Sequence, residues 1–172
     1  ASARTRELAG VLLEAGLSIA VAESLTGGAL AAELVRVPGI SASFRGGIVA
    51  YHNTVKHNLL GVDRELLLDR GAVDPEVALQ MARGAREAFT IGEHGTDIAV
   101  STTGAAGPDP SDGKAAGTVY VGISTLWGEK AVELDFRSLV RADDPVGSRQ
   151  RIRFAAIEAA MFNLLEHLAE QR

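Results

Sequence analysis

A short apolar segment runs into a pair of glycines at Ile19-Ala20-Val21-Ala22-Glu23-Ser24-Leu25-Thr26-Gly27-Gly28. The apolar residues at its start predict a short buried strand. The glycine pair is unfavourable inside a helix and is typical of a sharp corner between a strand and a helix. Ser24 would then lie where unpaired helix amides can hold an oxyanion, a carboxamide oxygen or a phosphate. The alternative is that Ser24 or Thr26 only caps the helix.

The rest of the chain alternates between helical and strand patterns. Apolar residues at three- and four-residue spacing predict amphipathic helices over residues 4–15 and from residue 145 to the end. Other helices are predicted at residues 29–35, 54–60, 63–69 and 75–89, and strands at 44–51, 97–102, 118–125 and 130–136. Apolar and charged residues alternate along the last strand, which predicts a half-exposed hairpin at the sheet edge. Gly46-Gly47 predicts a bulge in its strand, or a place where a ligand or another backbone comes close.

Composition limits the class of protein. The chain has 172 residues, 47% of them hydrophobic, which predicts a single domain over residues 1–172. It has no cysteine, which excludes disulfides, thiolate catalysis and cysteine-bound zinc. The net charge of −5 argues against broad binding to nucleic acid. No segment resembles a membrane span or a signal peptide, so we expect a soluble, cytoplasmic protein that does not bind membranes.

Familiar catalytic motifs are missing from the sequence. There is no Gly-x-Gly-x-x-Gly, no Walker phosphate loop, no Gly-x-Ser-x-Gly elbow and no His-Glu-x-x-His. The four histidines lack metal-ligand spacing, so we expect neither a metal nor a cofactor. Residues 111–114 match Ser-x-x-Lys, but Pro110 and Gly113 predict a loop instead of the helix that this motif needs.

Serine, tyrosine and lysine remain as candidate catalytic groups, and they suffice for acyl transfer if Lys56 can lose its proton. The pKa of an exposed lysine is about 10.4, and burial or a neighbouring cation such as Arg45 would lower it. Neutral Lys56 would then take the proton of a serine directly or through Tyr51, while corner amides hold the oxyanion. The alternative is a solvated lysine on a surface helix.

Seven blocks carry a family resemblance: AESLTGG at 22–28, PGIS at 38–41, FRGG at 44–47, YHNTVK at 51–56, LGV at 60–62, GAV at 71–73 and TGAAGP at 103–108. In this order they resemble the CinA C-terminal domain family, and the resemblance covers nearly the whole chain. That family is similar to, or includes, amidohydrolases that convert nicotinamide mononucleotide (NMN) to nicotinic acid mononucleotide and ammonia. Its members often carry an additional N-terminal nucleotide-hydrolysing domain, so we expect this chain to be a stand-alone form.

The resemblance implies an α/β fold, a three-layer α/β/α sandwich with a mixed sheet and an antiparallel edge hairpin, and it implies no metal. The candidate catalytic residues are Ser24, Ser41, Tyr51 and Lys56. Ser24 is favoured over Ser41 as the nucleophile, because only Ser24 has a local oxyanion site. The candidate substrate-binding residues are Thr26, Gly27, Gly28, Arg45, Gly46, Asn53, Thr103, Gly104, Gly107 and Arg149. The family carries an arginine near the start of the last helix, where this sequence departs from the pattern, and Arg149 is chosen over Arg153.

Two functions remain open at this point. The first is hydrolysis of the NMN carboxamide by a metal-independent Ser/Lys(Tyr) mechanism, in pyridine nucleotide salvage. The second is a catalytically silent nucleotide-binding or regulatory module with the same pocket. In either case the expected ligand is a small nucleotide. A homodimer is expected, because a second copy could cover the hairpin edge and the long last helix.

Overall fold

The computed structural model describes residues 1–171, which form six helices and five strands. In chain order the elements are α1 (Ala3–Ala15), β1 (Ile19–Glu23), α2 (Ala29–Leu34), β2 (Phe44–Val49), α3 (Asn53–Leu60), α4 (Arg64–Arg70), α5 (Pro75–Ala88), β3 (Ile98–Gly104), β4 (Thr118–Thr125), β5 (Gly128–Asp135) and α6 (Pro145–Glu170). Short 3₁₀ turns lie at Ile40–Ala42 and Arg137–Leu139. No helix among these residues is both long and apolar enough to cross a membrane.

The strands form one sheet in the order β2-β1-β3-β4-β5. Strand β1 pairs in parallel with β2 on one side and with β3 on the other. Strands β3, β4 and β5 pair antiparallel, so β4 and β5 form the hairpin and β5 is an edge strand. The predicted α/β fold, with a mixed sheet between helices and an antiparallel edge hairpin, is therefore confirmed.

The two faces of the sheet carry side chains of different size. Ile19 and Val21 of β1 belong to a core of large side chains shared with α1 and α6, whereas Ala20 and Ala22 belong to the opposite core, shared with α3 and α5. The alternation follows from the two-residue period of a strand. Small residues let α5 lie close to the sheet, and a β-carbon at Gly122 of β4 would meet the α5 backbone. Helix α5 therefore packs unusually close to this face of the sheet.

Strand β2 contains the irregularity that its glycines predict. Ile19 pairs with Phe44 and Ala20 with Gly46, so Arg45 is an extra residue on β2. Gly46 has φ of 150°, and a β-carbon at this position would meet the ring of Phe89, the residue that follows α5. The predicted bulge is confirmed, and the close neighbour of Gly46 is a side chain instead of the ligand or second backbone that was the alternative.

The predicted element bounds agree with the structure to within two residues, and two of the small differences have local causes. Helix α3 begins at Asn53, one residue earlier than predicted, because His52 Nδ1 accepts from the Thr54 N–H at 3.0 Å and caps the helix. Strand β3 continues to Gly104, because Gly104 still pairs with Val119 of β4. Asn53 and Gly104, the residues added to these two elements, both line the main cavity of the protein.

Candidate active site

The main candidate site is a cavity of about 460 Å³ at the carboxyl ends of β1 and β3. The chain leaves β1 for β2 on one side and later returns to β3 on the other, and ligands of α/β sheets bind at such a switch point. The volume lies within the roughly 300–1,000 Å³ typical of small-molecule sites. The lining residues are Ser24, Leu25, Tyr51, Asn53, Lys56, Ala72, Val73, Thr103, Gly104, Ala105, Ala106, Gly107, Pro108, Asp109, Ser111, Asp112 and Arg149.

Ser24 is the first residue after β1 and opens into this cavity. Its N–H donates to the Thr102 carbonyl of β3 at 3.0 Å, which holds it at the end of the strand pair. The residue is 7% exposed, and its hydroxyl makes no hydrogen bond to any group within residues 1–171. An accessible hydroxyl that is not held by the fold is available to a ligand.

Lys56 of α3 lines the same cavity with only 1% of its surface exposed. Its ammonium group donates to the Tyr51 carbonyl at 2.9 Å, and no carboxylate within residues 1–171 pairs with it. Burial lowers the pKa of Lys56 from the ordinary 10.5 to about 8, an effect that the nearby Asp112 carboxylate partly opposes. A much larger fraction of Lys56 is therefore neutral at pH 7 than of an exposed lysine.

The amides of the corner after β1 are divided between structural and free groups. The Glu23 carboxylate accepts from the N–H groups of Gly28, Leu30 and Ala31 at 3.2, 2.8 and 3.0 Å. The Gly27 N–H donates to the Ser24 carbonyl at 3.1 Å. The N–H groups of Leu25 and Thr26 have no partner within residues 1–171.

Not all of the corner amides that were expected to hold the oxyanion are free. The amide of Gly28 is taken by Glu23 and that of Gly27 by the Ser24 carbonyl, so neither is available to a ligand. The Thr26 side chain is also engaged, since its hydroxyl shares a hydrogen bond of 2.8 Å with the hydroxyl of Thr102. The free donors of the corner are instead the N–H groups of Leu25 and Thr26.

Tyr51 and Arg149 form one rim of the cavity. Arg149, near the start of α6, donates to the Tyr51 hydroxyl at 3.0 Å and to the Gly107 carbonyl at 2.6 Å. A guanidinium has five N–H donors, and within residues 1–171 Arg149 uses no others, so it retains donors for an anion. The Tyr51 side chain is 60% exposed, and its hydroxyl contacts Arg149 and not Lys56.

The loop after β3 continues this wall of the cavity from Arg149. Thr103 is buried, and its hydroxyl donates to the Ala72 carbonyl at 2.8 Å. Gly104 and Gly107 line the cavity, as predicted for the glycine-rich loop, and Gly107 has φ of 81°. Beyond Ala105, the N–H groups of residues 106 and 107 have no partner within residues 1–171. Asn53 lies across the cavity at the start of α3.

Six predicted site residues do not line the cavity. Thr26, Gly27 and Gly28 lie in the corner directly after Ser24 and Leu25, whereas Ser41, Arg45 and Gly46 lie far from the cavity, and for these three the prediction is corrected. Ser41 is exposed in the 3₁₀ turn before β2, and Arg45 and Gly46 lie at the amino end of β2. Arg45 donates to the carbonyls of Phe89 and His94 at 3.0 and 2.9 Å. Because β1 and β2 are parallel, the amino end of β2 lies at the edge of the sheet opposite Ser24.

Arg153, the second candidate for a substrate arginine, lies beneath the corner and not in the cavity lining. It donates to the carbonyls of Leu25 and Thr26 at 2.8 and 3.0 Å and to Gln150 Oε1 at 2.6 Å. The structure therefore gives the two arginines different environments, with Arg149 facing the cavity.

Sequence reasoning missed two carboxylates of the cavity, Asp109 and Asp112. Asp112 has φ of 50° in the turn formed by residues 111–114, and it accepts from the Ala72 N–H at 3.1 Å. The turn bears out the prediction of a loop at Ser-x-x-Lys. The polar, glycine- and proline-rich composition of residues 103–113 was the available signal for a ligand-binding loop.

Within residues 1–171, no group of three or more histidine or acidic side chains could hold a metal ion.

The sheet order, the switch-point cavity, and a buried lysine that lines this cavity together with an unpartnered serine hydroxyl characterise an α/β domain with a candidate active site. Residues 2–168 match the family model of the CinA C-terminal domain. This chain therefore belongs to the CinA C-terminal domain family.

Relatives with the same family name share a large part of the sequence. A CinA-like protein from Chlorobium limicola is 45% identical over 157 residues, which cover 91% of this chain and 35% of that protein. A CinA-like protein from Chlorobaculum tepidum is 44% identical over 161 residues, with 93% and 36% covered. The chain thus spans only about a third of the length of these curated relatives.

Solved structures show the same fold at comparable chain length. The crystal structure of competence damage-inducible protein A from Klebsiella pneumoniae has a TM-score of 0.85 and 29% identity, covering 98% of this chain and 97% of that one. The competence/damage inducible protein from Agrobacterium tumefaciens has a TM-score of 0.82 and 33% identity, covering 95% and 92%.

Proposed function

We propose that this domain hydrolyses the carboxamide of NMN to nicotinic acid mononucleotide and ammonia, as expected for an amidohydrolase of pyridine nucleotide salvage. The observation that carries the proposal is a buried lysine, with its pKa lowered to about 8, in the same cavity as an unpartnered serine hydroxyl. Burying a lysine without a carboxylate partner is costly. Such a lysine is a candidate for a functional group.

In the first half of the proposed reaction, neutral Lys56 takes the proton from Ser24 Oγ as this oxygen attacks the carboxamide carbon. The carbonyl oxygen becomes an oxyanion, and we assign its stabilisation to the free N–H groups of Leu25 and Thr26. The carbon–nitrogen bond then breaks. The leaving nitrogen takes the proton from the Lys56 ammonium and departs as ammonia, which leaves an ester on Ser24.

In the second half, neutral Lys56 takes a proton from water, and the oxygen of this water attacks the ester carbon. The tetrahedral species collapses, the Ser24 oxygen recovers its proton from Lys56, and the carboxylic acid product ionises in solution. Lys56 is thus the base in both halves. The scheme uses only groups of this chain and water.

Arg149 is the proposed phosphate ligand. It faces the cavity with unused N–H donors, and a guanidinium pairs well with two phosphate oxygens. The free N–H groups of residues 106 and 107, on the same wall, add neutral donors. The phosphate would then lie near Arg149 and Gly107, and the carboxamide near Ser24 and Lys56.

Tyr51 has an orienting role in this proposal. Its carbonyl accepts from Lys56 at 2.9 Å, and its hydroxyl accepts from Arg149 at 3.0 Å. The residue therefore links the proposed base to the proposed phosphate ligand. Within residues 1–171 the Tyr51 hydroxyl forms no hydrogen bond with Ser24 or Lys56, so we prefer direct proton transfer between Ser24 and Lys56 to a relay through the phenol.

The test is the release of ammonia from NMN by the purified protein, dialysed against a chelator and assayed without added metal. Formation of nicotinic acid mononucleotide in equal amount is expected, and Ser24→Ala should abolish it. NMN that binds, as measured by calorimetry, but is not hydrolysed would instead support the silent nucleotide-binding module. Activity that is lost on dialysis and returns with zinc or magnesium would contradict the Ser/Lys mechanism.

A further inference from the structure

We propose that Arg153 is a positioning residue that orients the oxyanion donors of the Ser24 corner, an inference that rests on the proposed acyl transfer at Ser24. Arg153 lies on α6, far along the chain from the corner that it contacts. Its fork binds two consecutive carbonyl groups, those of Leu25 and Thr26, at 2.8 and 3.0 Å. These carbonyls belong to the residues whose N–H groups are free.

These contacts fix the direction in which a free N–H group points, because of the geometry of the peptide bond. In a trans peptide the carbonyl and the N–H of the same plane point in opposite directions. The plane between Leu25 and Thr26 carries the Leu25 carbonyl and the Thr26 N–H. Because Arg153 binds this carbonyl, the Thr26 N–H points away from Arg153.

The preceding peptide plane is fixed in a similar way by the backbone. The Ser24 carbonyl accepts from the Gly27 N–H at 3.1 Å, so the Leu25 N–H of the same plane points away from Gly27. Gly27 can close this turn because its φ is 59°, a conformation that favours glycine. Both free donors therefore belong to planes whose carbonyls are held.

Glu23 holds the same corner from the other side. Its buried carboxylate accepts three N–H groups from residues 28–31 and so closes the start of α2. The hydroxyl pair of Thr26 and Thr102 ties the corner to β3. With these contacts in place, the backbone between Glu23 and Gly28 is restrained at both ends, and Arg153 restrains its middle.

The charge of Arg153 is also suited to this role. Its acceptors within residues 1–171 are all neutral, namely two backbone carbonyls and Gln150 Oε1, and it forms no salt bridge there. An unneutralised guanidinium beneath the corner polarises the peptide groups it binds and favours negative charge on the far side. An oxyanion at the Leu25 and Thr26 donors would benefit from both effects.

The experiment compares Arg153→Lys and Arg153→Met with Arg151→Met as the matched control. Arg151 is another arginine of α6 that donates to a carbonyl, that of Leu139, but it does not contact the corner. Two rates are measured for each variant, kcat for NMN hydrolysis and the rate at which a fluorophosphonate modifies Ser24, read by peptide mass spectrometry. Phosphonylation also develops negative charge on an oxygen, so it reports on the same donors without requiring NMN.

For Arg153→Met we expect both rates to fall by roughly 10²-fold, comparable to the loss of one oxyanion donor, with KM changed less than about threefold. Arg153→Lys keeps the charge but reaches one carbonyl, so its rates should fall between those of Arg153→Met and the wild type. Arg151→Met should retain the wild-type kcat. Thermal unfolding of each variant shows whether the domain keeps its stability.

Several results would overturn the proposal. They are wild-type phosphonylation rates in Arg153→Met, equal losses in the lysine and methionine variants, or a loss that appears only in KM. If the wild-type protein is modified at Ser24 but releases no ammonia from NMN, the proposed substrate is wrong and phosphonylation alone decides the role of Arg153. If the wild-type protein is not modified at Ser24, the nucleophile and the role of Arg153 both fail.

Discussion

Replacing Lys56 by methionine should abolish hydrolysis and at the same time make the protein more stable at neutral pH. Methionine has a similar length and no charge, so it can fill the space of the buried lysine stem. The wild-type protein must keep an ammonium group out of water at pH 7, because a pKa of about 8 leaves Lys56 mostly charged. The variant has no such requirement.

The magnitude follows from the pKa of the folded protein. Lowering the pKa from 10.5 to about 8 corresponds to a cost of roughly 3 kcal/mol below pH 8, where the folded and unfolded proteins both carry the charge. Losing the hydrogen bond to the Tyr51 carbonyl offsets about 1 kcal/mol of the gain. We therefore expect Lys56→Met to be more stable than the wild type by about 2 kcal/mol at pH 7.

The stability difference between the two proteins should depend on pH. Between pH 8 and 10.5 the unfolded chain binds more protons at Lys56 than the folded protein, so wild-type stability rises with pH relative to the variant. The difference should shrink by up to about 1.4 kcal/mol per pH unit in this window. Below pH 8 it should be constant.

Urea unfolding of both proteins from pH 6 to 10 measures this difference, and Lys130→Met is the matched control because Lys130 is an exposed lysine. The control should show no comparable gain at pH 7. A Lys56→Met protein that is less stable than the wild type at pH 7, with a difference independent of pH, would refute the reasoning. It would mean that Lys56 is solvated in the folded protein and is not the proposed base.

Three further predictions concern the reaction. The value of kcat/KM should rise with pH to a plateau above an apparent pKa near 8. Asp112→Asn should move this pKa lower, because the Asp112 carboxylate opposes the lowering of the Lys56 pKa. A pH profile that does not shift in this variant would show that Asp112 does not influence the base. Arg149→Ala should raise KM for NMN at least tenfold and affect kcat less, and equal kinetics for NMN and its dephosphorylated riboside in the wild type would contradict this phosphate contact. Ser24→Ala should lose all turnover whereas Ser41→Ala should stay within about threefold of the wild type, and an acyl adduct that maps to Ser41 would reverse the assignment.

Much of the fold could be predicted from local patterns. The helical periodicity of α1 and α6, the prolines at the first turns of α5 and α6, and the glycines after α1 and α3 all act within a few residues. Alternating side chains identified β5 as a half-exposed edge strand. Each of these signals depends only on neighbours along the chain, so it can be recognised without knowledge of tertiary contacts.

The site was harder to predict, because residues that are close in the sequence can lie at opposite edges of the sheet. Ser41 and Lys56 belong to neighbouring motifs, but the chain crosses the sheet along β2 between them. At about 3.3 Å per residue this six-residue strand separates the two motifs by roughly 20 Å. The contacts of Asp112 with Ala72 and of Arg153 with Leu25 join distant segments, and no local pattern predicts them.

The close packing of α5 on the sheet affects the pKa of Lys56. Helix α3, which carries Lys56, packs in the same core as the alanines Ala20, Ala22 and Ala99. Larger side chains at these positions would lift α3 and α5 from the sheet and admit water beside the lysine, and its pKa would return toward 10.5. The reactivity of the base would then be tuned by the volume of methyl groups in the hydrophobic core, at positions that no substrate touches.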